Sequence, residues 1–310
     1  MERIIEMAAK KGLLVSESAK RQNNGKELKT CLFRMHEGDT VSAVFEKHHF
    51  DNLADEALEA FFDEHVLPAF EEDIVKKEDE APDFIIDLLR TGTVFPVAIN
   101  AEANEEILAE IPHRRVMDLA LVYRLIVSME GDAVSSVLYT NRTMMLAGIS
   151  EAELFERAME YARANICVRS VLDILKERPC EFDLDELKGK KGELVVIRNE
   201  TPWFGGGILA LWAMDEGITI DLDSDIPLFV LPSSIHELLV VKGVDADKED
   251  VEFLASMVKN VNTTKVNAEE RLSNSVYRYD PETKKVSLAK CGEPLRVCEE
   301  YERFLREMFA

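Results

Sequence analysis

The segment LPSSIHELLVV, residues 231–241, carries the residue types of a serine hydrolase. Ser233 or Ser234 could act as a nucleophile with His236 as its general base and Glu237 beside it, because an imidazole that takes the hydroxyl proton activates serine. The same residue types build hydrogen-bonded turns. No nucleophile elbow and no oxyanion-hole motif accompany them. We therefore expect His236 to be structural, with the hydrolase as the alternative.

A second polar cluster lies in IPHRRVMDLALVYR, residues 111–124, just before a strongly apolar stretch. Two adjacent arginines in an acidic chain can bind an anion, or they can fix a loop through an Arg–Asp pair. We favour the pair and keep anion binding as the alternative. The ligand-binding candidates are His113, Arg114, Arg115 and Asp118, with Asn199 from a later strand.

Two further patterns bear on metals and cofactors. His48 and His49 are adjacent, and on a predicted strand their side chains would point to opposite faces and not chelate together. The glycines in WFGGGILALWAM, residues 203–214, could bind phosphate at a helix start or let that helix approach a sheet closely. Their spacing fits neither nucleotide-binding fingerprint. We predict no metal and no cofactor.

The hydrophobic patterns predict strands that pair mostly antiparallel, with helices packed on them. Residues 94–100 read as a strand, and residues 117–127 as a buried strand with residues 135–148 as its hairpin partner. Residues 227–231 and 235–241 read as two strands joined by a turn, which places His236 on a strand. Ser150 and Glu153 form a capping box before a helix. These elements indicate an α+β fold.

The length of the chain bears on its division into lobes, and its charge bears on the partners that it can bind. The 310 residues suit one large domain or two smaller ones. If there are two, we expect an N-terminal lobe over residues 1–80 and a main lobe over 81–310, with the acidic stretch 71–83 as the hinge. The net charge of −23 opposes binding to nucleic acid. The thirteen acids of residues 51–83 either keep the surface soluble or bind a basic partner.

The cysteines and the apolar stretches bear on where in the cell the protein is located. The five cysteines are odd in number and form no C-x-x-C pair, which fits reduced cytoplasmic thiols. No apolar run approaches the roughly 20 residues that a membrane span needs. We predict a cytoplasmic protein that binds neither membranes nor nucleic acids.

A series of motifs occurs in a fixed order along the chain. It consists of Pro112-His113, D-L-A-x-V-Y-R at 118–124, Arg198-Asn199, the helix start at 205–210, P-S-S-I-H-E at 232–237, M-V-x-x-V-N at 257–262 and E-x-L-S at 270–273. In these motifs the sequence resembles a bacterial family, domain of unknown function 5688. It is more distantly similar to domain of unknown function 1444. Three glycines replace the family's usual Gly-Ala at the helix start. The resemblance implies a bacterial cytoplasmic protein and implies no reaction.

Together the patterns predict a protein that binds an unknown small molecule or protein and lacks evident catalytic machinery. The binding hypothesis places a groove near His113, Arg114 and the 232–237 turn. Whether the protein is an enzyme stays open, with the hydrolase as one alternative. A purely structural or assembly role is the other.

Overall fold

The fold is α+β, and every strand pair in the described part of the chain is antiparallel. The computed structural model describes residues 1–37, 43–71, 81–130, 133–176, 194–200, 204–214, 217–218, 220, 222, 224–225, 227–232, 234–242, 244–245, 248–289 and 295–296. The chain divides into two compact units, Met1–Leu88 and Leu89–Ala310. The predicted boundary lay at residue 80, and most of the predicted hinge over residues 71–83 lies outside the described residues.

The first unit is a three-stranded sheet with helices packed on an aromatic core. Its elements are α1 (Glu2–Lys10), β1 (Leu14–Arg21), β2 (Glu27–Arg34), β3 (Ala43–Glu46), α2 (Asp55–Phe61), α3 (Pro68–Glu71) and most of α4 (Ala81–Thr91). The strands pair in the order β1-β2-β3. Phe33 of β2 is buried, with its ring centroid 5.3 Å from Phe62 and 5.7 Å from Phe50. Phe50 thereby anchors the 3₁₀ helix Lys47–Phe50 that follows β3.

A four-stranded sheet begins the second unit. Its elements and the next helices are β4 (Val94–Asn100), α5 (Glu105–Leu108), β5 (His113–Val116), β6 (Leu119–Glu130), β7 (Ala133–Leu138), α6 (Asn141–Ala147) and α7 (Glu151–Asn165). The long β6 lies between β4 on one side and both β5 and β7 on the other. Residues 119–123 are all buried, as a central strand covered on both faces requires.

A six-stranded sheet completes the second unit. The remaining elements are β8 (Ile166–Ser170), α8 (Val171–Lys176), β9 (Leu194–Asn199), α9 (Gly207–Ala213), β10 (Leu228–Leu231), β11 (Glu237–Lys242), β12 (Val244–Asp245), α10 (Lys248–Thr264), β13 (Tyr277–Asp280), β14 (Lys285–Leu288) and β15 (Leu295–Arg296). The strand order is β14-β13-β10-β11-β9-β8, while β12 pairs with β15 separately.

Helix α9 is apolar all round and joins the two sheets. Gly207 lies against Pro96 of β4, and Trp212 stacks on Tyr279 of β13 at 4.6 Å between ring centroids. Residues 207–212 are buried, which is the environment that such a helix requires. Helix α10 packs through Val251, Leu254 and Val258 on the core formed with Phe229 and Leu231 of β10.

Several sequence predictions are confirmed. Strand β4 spans residues 94–100 as predicted, and the Ser150–Glu153 capping box is formed. No helix in the described part of the chain is long and apolar enough to cross a membrane. The thiols of Cys31 and Cys167 are free, while the other three cysteines lie outside the described residues.

Three predictions of local structure are wrong. Residues 141–147 form a helix and not a strand, because Thr140 caps its start by accepting the Thr143 N–H and Gly148, at φ 64°, ends it. His48 and His49 lie on the 3₁₀ helix and not on a strand. His236 lies in the turn before β11, because the strand begins only at Glu237.

Candidate functional site

The turn between β10 and β11 holds His236 through contacts from two other segments. The ring Nδ1 accepts the backbone N–H of Phe204 at 3.3 Å, so the neutral ring carries its proton on Nε2. That Nε2 lies 3.5 Å from Oε1 of Glu270. The rings of His236 and Phe204 are 5.4 Å apart. Contacts at both ring nitrogens therefore orient the imidazole, and 21% of the side chain is exposed.

The serines of this turn were the candidate nucleophiles. The Ser234 hydroxyl oxygen accepts the backbone N–H of His236 at 2.9 Å. The residue also forms an isolated β-bridge with Arg271. Its contacts are therefore those of a turn, and Glu237 is an exposed residue at the start of β11. Ser233 lies outside the described residues, so its nucleophile role stays a prediction.

The two glycines before α9, Gly205 and Gly206, are required by close packing. Gly205 and Gly206 donate their N–H groups to the carbonyls of His236 and Ile235, at 2.7 and 2.9 Å. A Cβ on Gly205 would lie 2.4 Å from the His236 carbonyl oxygen and 3.1 Å from the nitrogen of Asn199. The buried candidate Asn199 thus lies directly against this loop. With these two donors used internally, the glycines serve to bring α9 against the turn.

Phe204 has a backbone conformation that is unusual for a bulky residue. Its φ is +60°, in the left-handed region that favours glycine. Its ring centroid lies 5.4 Å from that of Phe95 and 5.4 Å from the guanidinium carbon of Arg124. We call Phe95, Arg124, Phe204, His236 and Glu270 the Phe204 cluster.

Arg124 brings a positive charge into the Phe204 cluster. It is half-buried on β6, directly opposite Phe95, and burial lowers the pKa of its guanidinium. Its Nε donates to the Ser136 hydroxyl and its Nη2 to the Ser136 carbonyl, both at 2.9 Å. Within the described residues these polar partners are neutral, and Nη1 has no hydrogen-bond acceptor.

The predicted cluster at residues 113–115 is divided between the two faces of the sheet. His113 and Arg115 pair with Val122 and Ala120, whereas Arg114 pairs with Leu121. Paired residues share a face and successive residues alternate, so Arg114 lies on the face opposite His113 and Arg115. The exposed Arg115 is on the same face as Arg124. His113 donates from Nδ1 to the carbonyl of Ile111 at 2.9 Å.

Arg114 forms the expected ion pair with a different carboxylate. Its Nε and Nη2 donate to the two carboxylate oxygens of Glu151 at 2.8 and 3.1 Å, and its guanidinium lies 3.6 Å above the Phe155 ring. The Tyr123 hydroxyl donates to the same carboxylate. Burial raises the pKa of Tyr123, so it remains a donor. We expected an Arg–Asp pair, and the partner is a glutamate because α7 places Glu151 over β5 and β6.

Asp118 is instead the acceptor for three hydroxyl groups. Ser273 and Ser275 donate to Oδ2 at 2.6 and 2.9 Å, and Tyr277 donates to Oδ1 at 2.5 Å. Asn262 in turn donates to the Ser273 carbonyl at 2.9 Å. We call Asp118, Ser273, Ser275 and Tyr277 the Asp118 network. It joins the β5–β6 turn to the start of β13.

The motifs that are separated in sequence therefore meet in the second unit. Residues 270–273 connect the two groups, since Glu270 contacts His236 while Ser273 contacts Asp118. His236, Asp118 and Asn199 were candidates from the sequence, whereas Arg124 and Phe204 were not. Arg124 is the last residue of the D-L-A-x-V-Y-R motif, and that motif could have indicated it as a site residue. No sequence pattern indicated Phe204.

The comparisons with known proteins identify a family and nothing closer. A model of a family of unknown function (DUF5688) matches residues 1–281. No curated protein and no solved structure matches the chain.

Proposed function

The chain belongs to the family of unknown function DUF5688, and from its own residues we propose that it is a binding protein for a small organic acid. The ligand carboxylate would accept hydrogen bonds from Arg124, with its apolar part against Phe204. The observation that carries the proposal is the half-buried guanidinium of Arg124, whose described polar partners are neutral.

The physical reason is the cost of burying an unpaired charge. Removing a guanidinium from water is unfavourable unless an opposite charge and hydrogen bonds compensate. Burial lowers the pKa of Arg124, and no carboxylate among the described residues opposes this effect. A ligand carboxylate would supply the missing charge, and charged donors bind such oxygens strongly.

The backbone of Phe204 supports the same location. A bulky side chain at positive φ costs about 1–3 kcal/mol, and such residues are frequent at ligand sites. The ring lies between Phe95, Arg124 and His236, where it offers a half-exposed apolar surface beside a cation. Most ligand sites combine such apolar surface with a few polar groups.

The test is ligand-observed NMR with benzoate as the probe and benzamide as its uncharged counterpart. We expect saturation transfer to benzoate, and much less to benzamide, because only benzoate carries the charge. Arg124→Gln should abolish the benzoate signal. Arg115→Gln, which removes an exposed arginine from the same sheet face, should leave it unchanged. Equal benzoate signals from Arg124→Gln and wild type, or no signal from wild type, would contradict the proposal.

The two alternatives stay predictions. At Ser234 the hydroxyl oxygen already accepts a backbone N–H, which supports binding over hydrolysis. The hydrolase hypothesis keeps Ser233 and Ser234 as its candidate nucleophiles, with His236 as the base. An assembly role predicts an exposed apolar surface for a partner, and the acidic residues 51–83 would suit a basic one. We also propose a bacterial cytoplasmic location, supported by the free thiols of Cys31 and Cys167.

A further inference from the structure

Two histidines and a glutamate lie close together at the end of β3 in the first unit. Glu46, His48 and His49 each have one ligand atom that lies within 4.8 Å of the others. The His48 and His49 ring centroids are 4.3 Å apart. A 3₁₀ helix turns about 120° per residue, so adjacent side chains do not point to opposite faces as they would on a strand, and these two rings lie close together. From this cluster, and against the expectation from the sequence that the protein binds no metal, we propose a binding site for a divalent transition-metal ion, with Zn²⁺ as the best fit.

The ligand set selects the class of ion. Two imidazoles and one carboxylate suit zinc and its neighbours in the first transition series, whereas Ca²⁺ and Mg²⁺ take oxygen ligands. Three protein ligands leave a fourth tetrahedral position for water. The site therefore has the composition of an open zinc site.

The distances are compatible with coordination. Zinc bonds of about 2.0–2.1 Å in a tetrahedron place neighbouring ligand atoms roughly 3.3–3.4 Å apart. Nδ1 of His48 and Oε2 of Glu46 are already 2.9 Å apart. The three ligand atoms all lie within 4.8 Å of one another, so the wider separations must shorten by at most about 1.5 Å. Exposed side chains on a fixed backbone can make this adjustment by rotation.

The surroundings supply both a fixed backbone and access for the ion. Phe50 is buried, 5.0 Å from the ring of Phe61, and the Asp51 N–H donates to the His48 carbonyl at 3.2 Å. The His48 side chain itself is 63% exposed. The neighbouring cation Lys47 is paired with Glu17, which offsets its repulsion of a metal ion.

The test is a zinc titration of the full-length, untagged protein by isothermal calorimetry, with the bound metal counted by mass spectrometry after dialysis. We expect one Zn²⁺ per chain. His48→Ala, His49→Ala and Glu46→Gln should each weaken binding by more than roughly tenfold, since even indirect changes at metal sites have that effect. Binding should also weaken in acid, because protons compete for the imidazoles.

Matched controls keep the result interpretable. His65 is an exposed histidine of the same unit that contacts Phe61, so His65→Ala should bind zinc like wild type. Circular dichroism establishes that each variant is folded. A wild type without stoichiometric zinc, or a His48→Ala/His49→Ala double variant with wild-type affinity, would overturn the proposal. Either result leaves the organic-acid proposal untouched, because that site uses other residues.

Discussion

The phenolic hydroxyl of Tyr277 donates a 2.5 Å hydrogen bond to Asp118, a residue 159 positions earlier in the chain. Both belong to the Asp118 network, whose third and fourth members, Ser273 and Ser275, also donate to this carboxylate. The network ties the four-stranded sheet to the segment that leads into the six-stranded one. Its contribution to the stability of the second unit can be measured directly.

Replacing Asp118 with Asn should destabilise the protein. The amide keeps the shape but loses the charge that strengthens the three hydrogen bonds. Hydrogen bonds to a charged group contribute about 1.5–3 kcal/mol, and we expect a loss of that order. Urea unfolding gives the free energy, with Glu237→Gln as an exposed control that should change little. An Asp118→Asn midpoint equal to that of the control would show that the network is unimportant for stability.

The raised pKa of Tyr277 predicts that the stability of the protein depends on pH in the alkaline range. Burial, then the charge of Asp118, raises the pKa of Tyr277, while an unfolded tyrosine ionises near pH 10. Above about pH 10 the unfolded state therefore holds fewer protons than the native state, and stability falls as the pH rises. Below that pH the contribution is fully present.

The measurement is urea unfolding at several pH values for wild type and Tyr277→Phe. The variant should show a shallower decline above about pH 10, because it lacks this titrating group. Part of the decline should remain, since burial also raises the pKa of Tyr123 and Tyr139. Parallel curves for the two proteins would refute the assignment.

His236→Ala should lower the melting temperature if the residue is structural. The change removes the acceptor of the Phe204 N–H, and an unsatisfied buried donor costs about 1–3 kcal/mol. In a unit of this size each kcal/mol moves the melting temperature by about 2–4 °C. A thermal melt beside Ser234→Ala gives the comparison. A His236→Ala melt within about a degree of wild type would count against a structural histidine.

Gly205→Ala should be more destabilising than a glycine change where space is open. The added Cβ would meet the His236 carbonyl oxygen at 2.4 Å, so the turn must move away from α9. Such overpacking typically costs about 1–3 kcal/mol, and a clash with backbone atoms places this change at the upper end of that range or above it. Gly12→Ala is the contrast, because Gly12 has φ +76° with open space and should cost only about 1–2 kcal/mol. Equal losses in denaturant unfolding would mean that the close approach is unimportant.

The local patterns predicted single elements better than the site. The apolar run at residues 94–100 and the Ser150–Glu153 pair depend on neighbouring residues, and both predictions are confirmed. The apolar residues of 141–147 resembled a strand because Thr140 was not recognised as a cap. The Phe204 cluster depends on residues from five distant segments and on a positive φ that only a glycine would have signalled. No local pattern contains that information.

The central claim is that Arg124 binds the carboxylate of a small organic acid, and the most direct test is a crystal soaked with 4-bromobenzoate. Anomalous scattering locates the bromine, and hence the ligand, independently of the protein phases. We expect the carboxylate at hydrogen-bond distance from Nη1 of Arg124, with the ring against Phe204, and no such peak in Arg124→Gln crystals. A bromine at any other arginine, or a peak beside residue 124 that persists in Arg124→Gln, would contradict it.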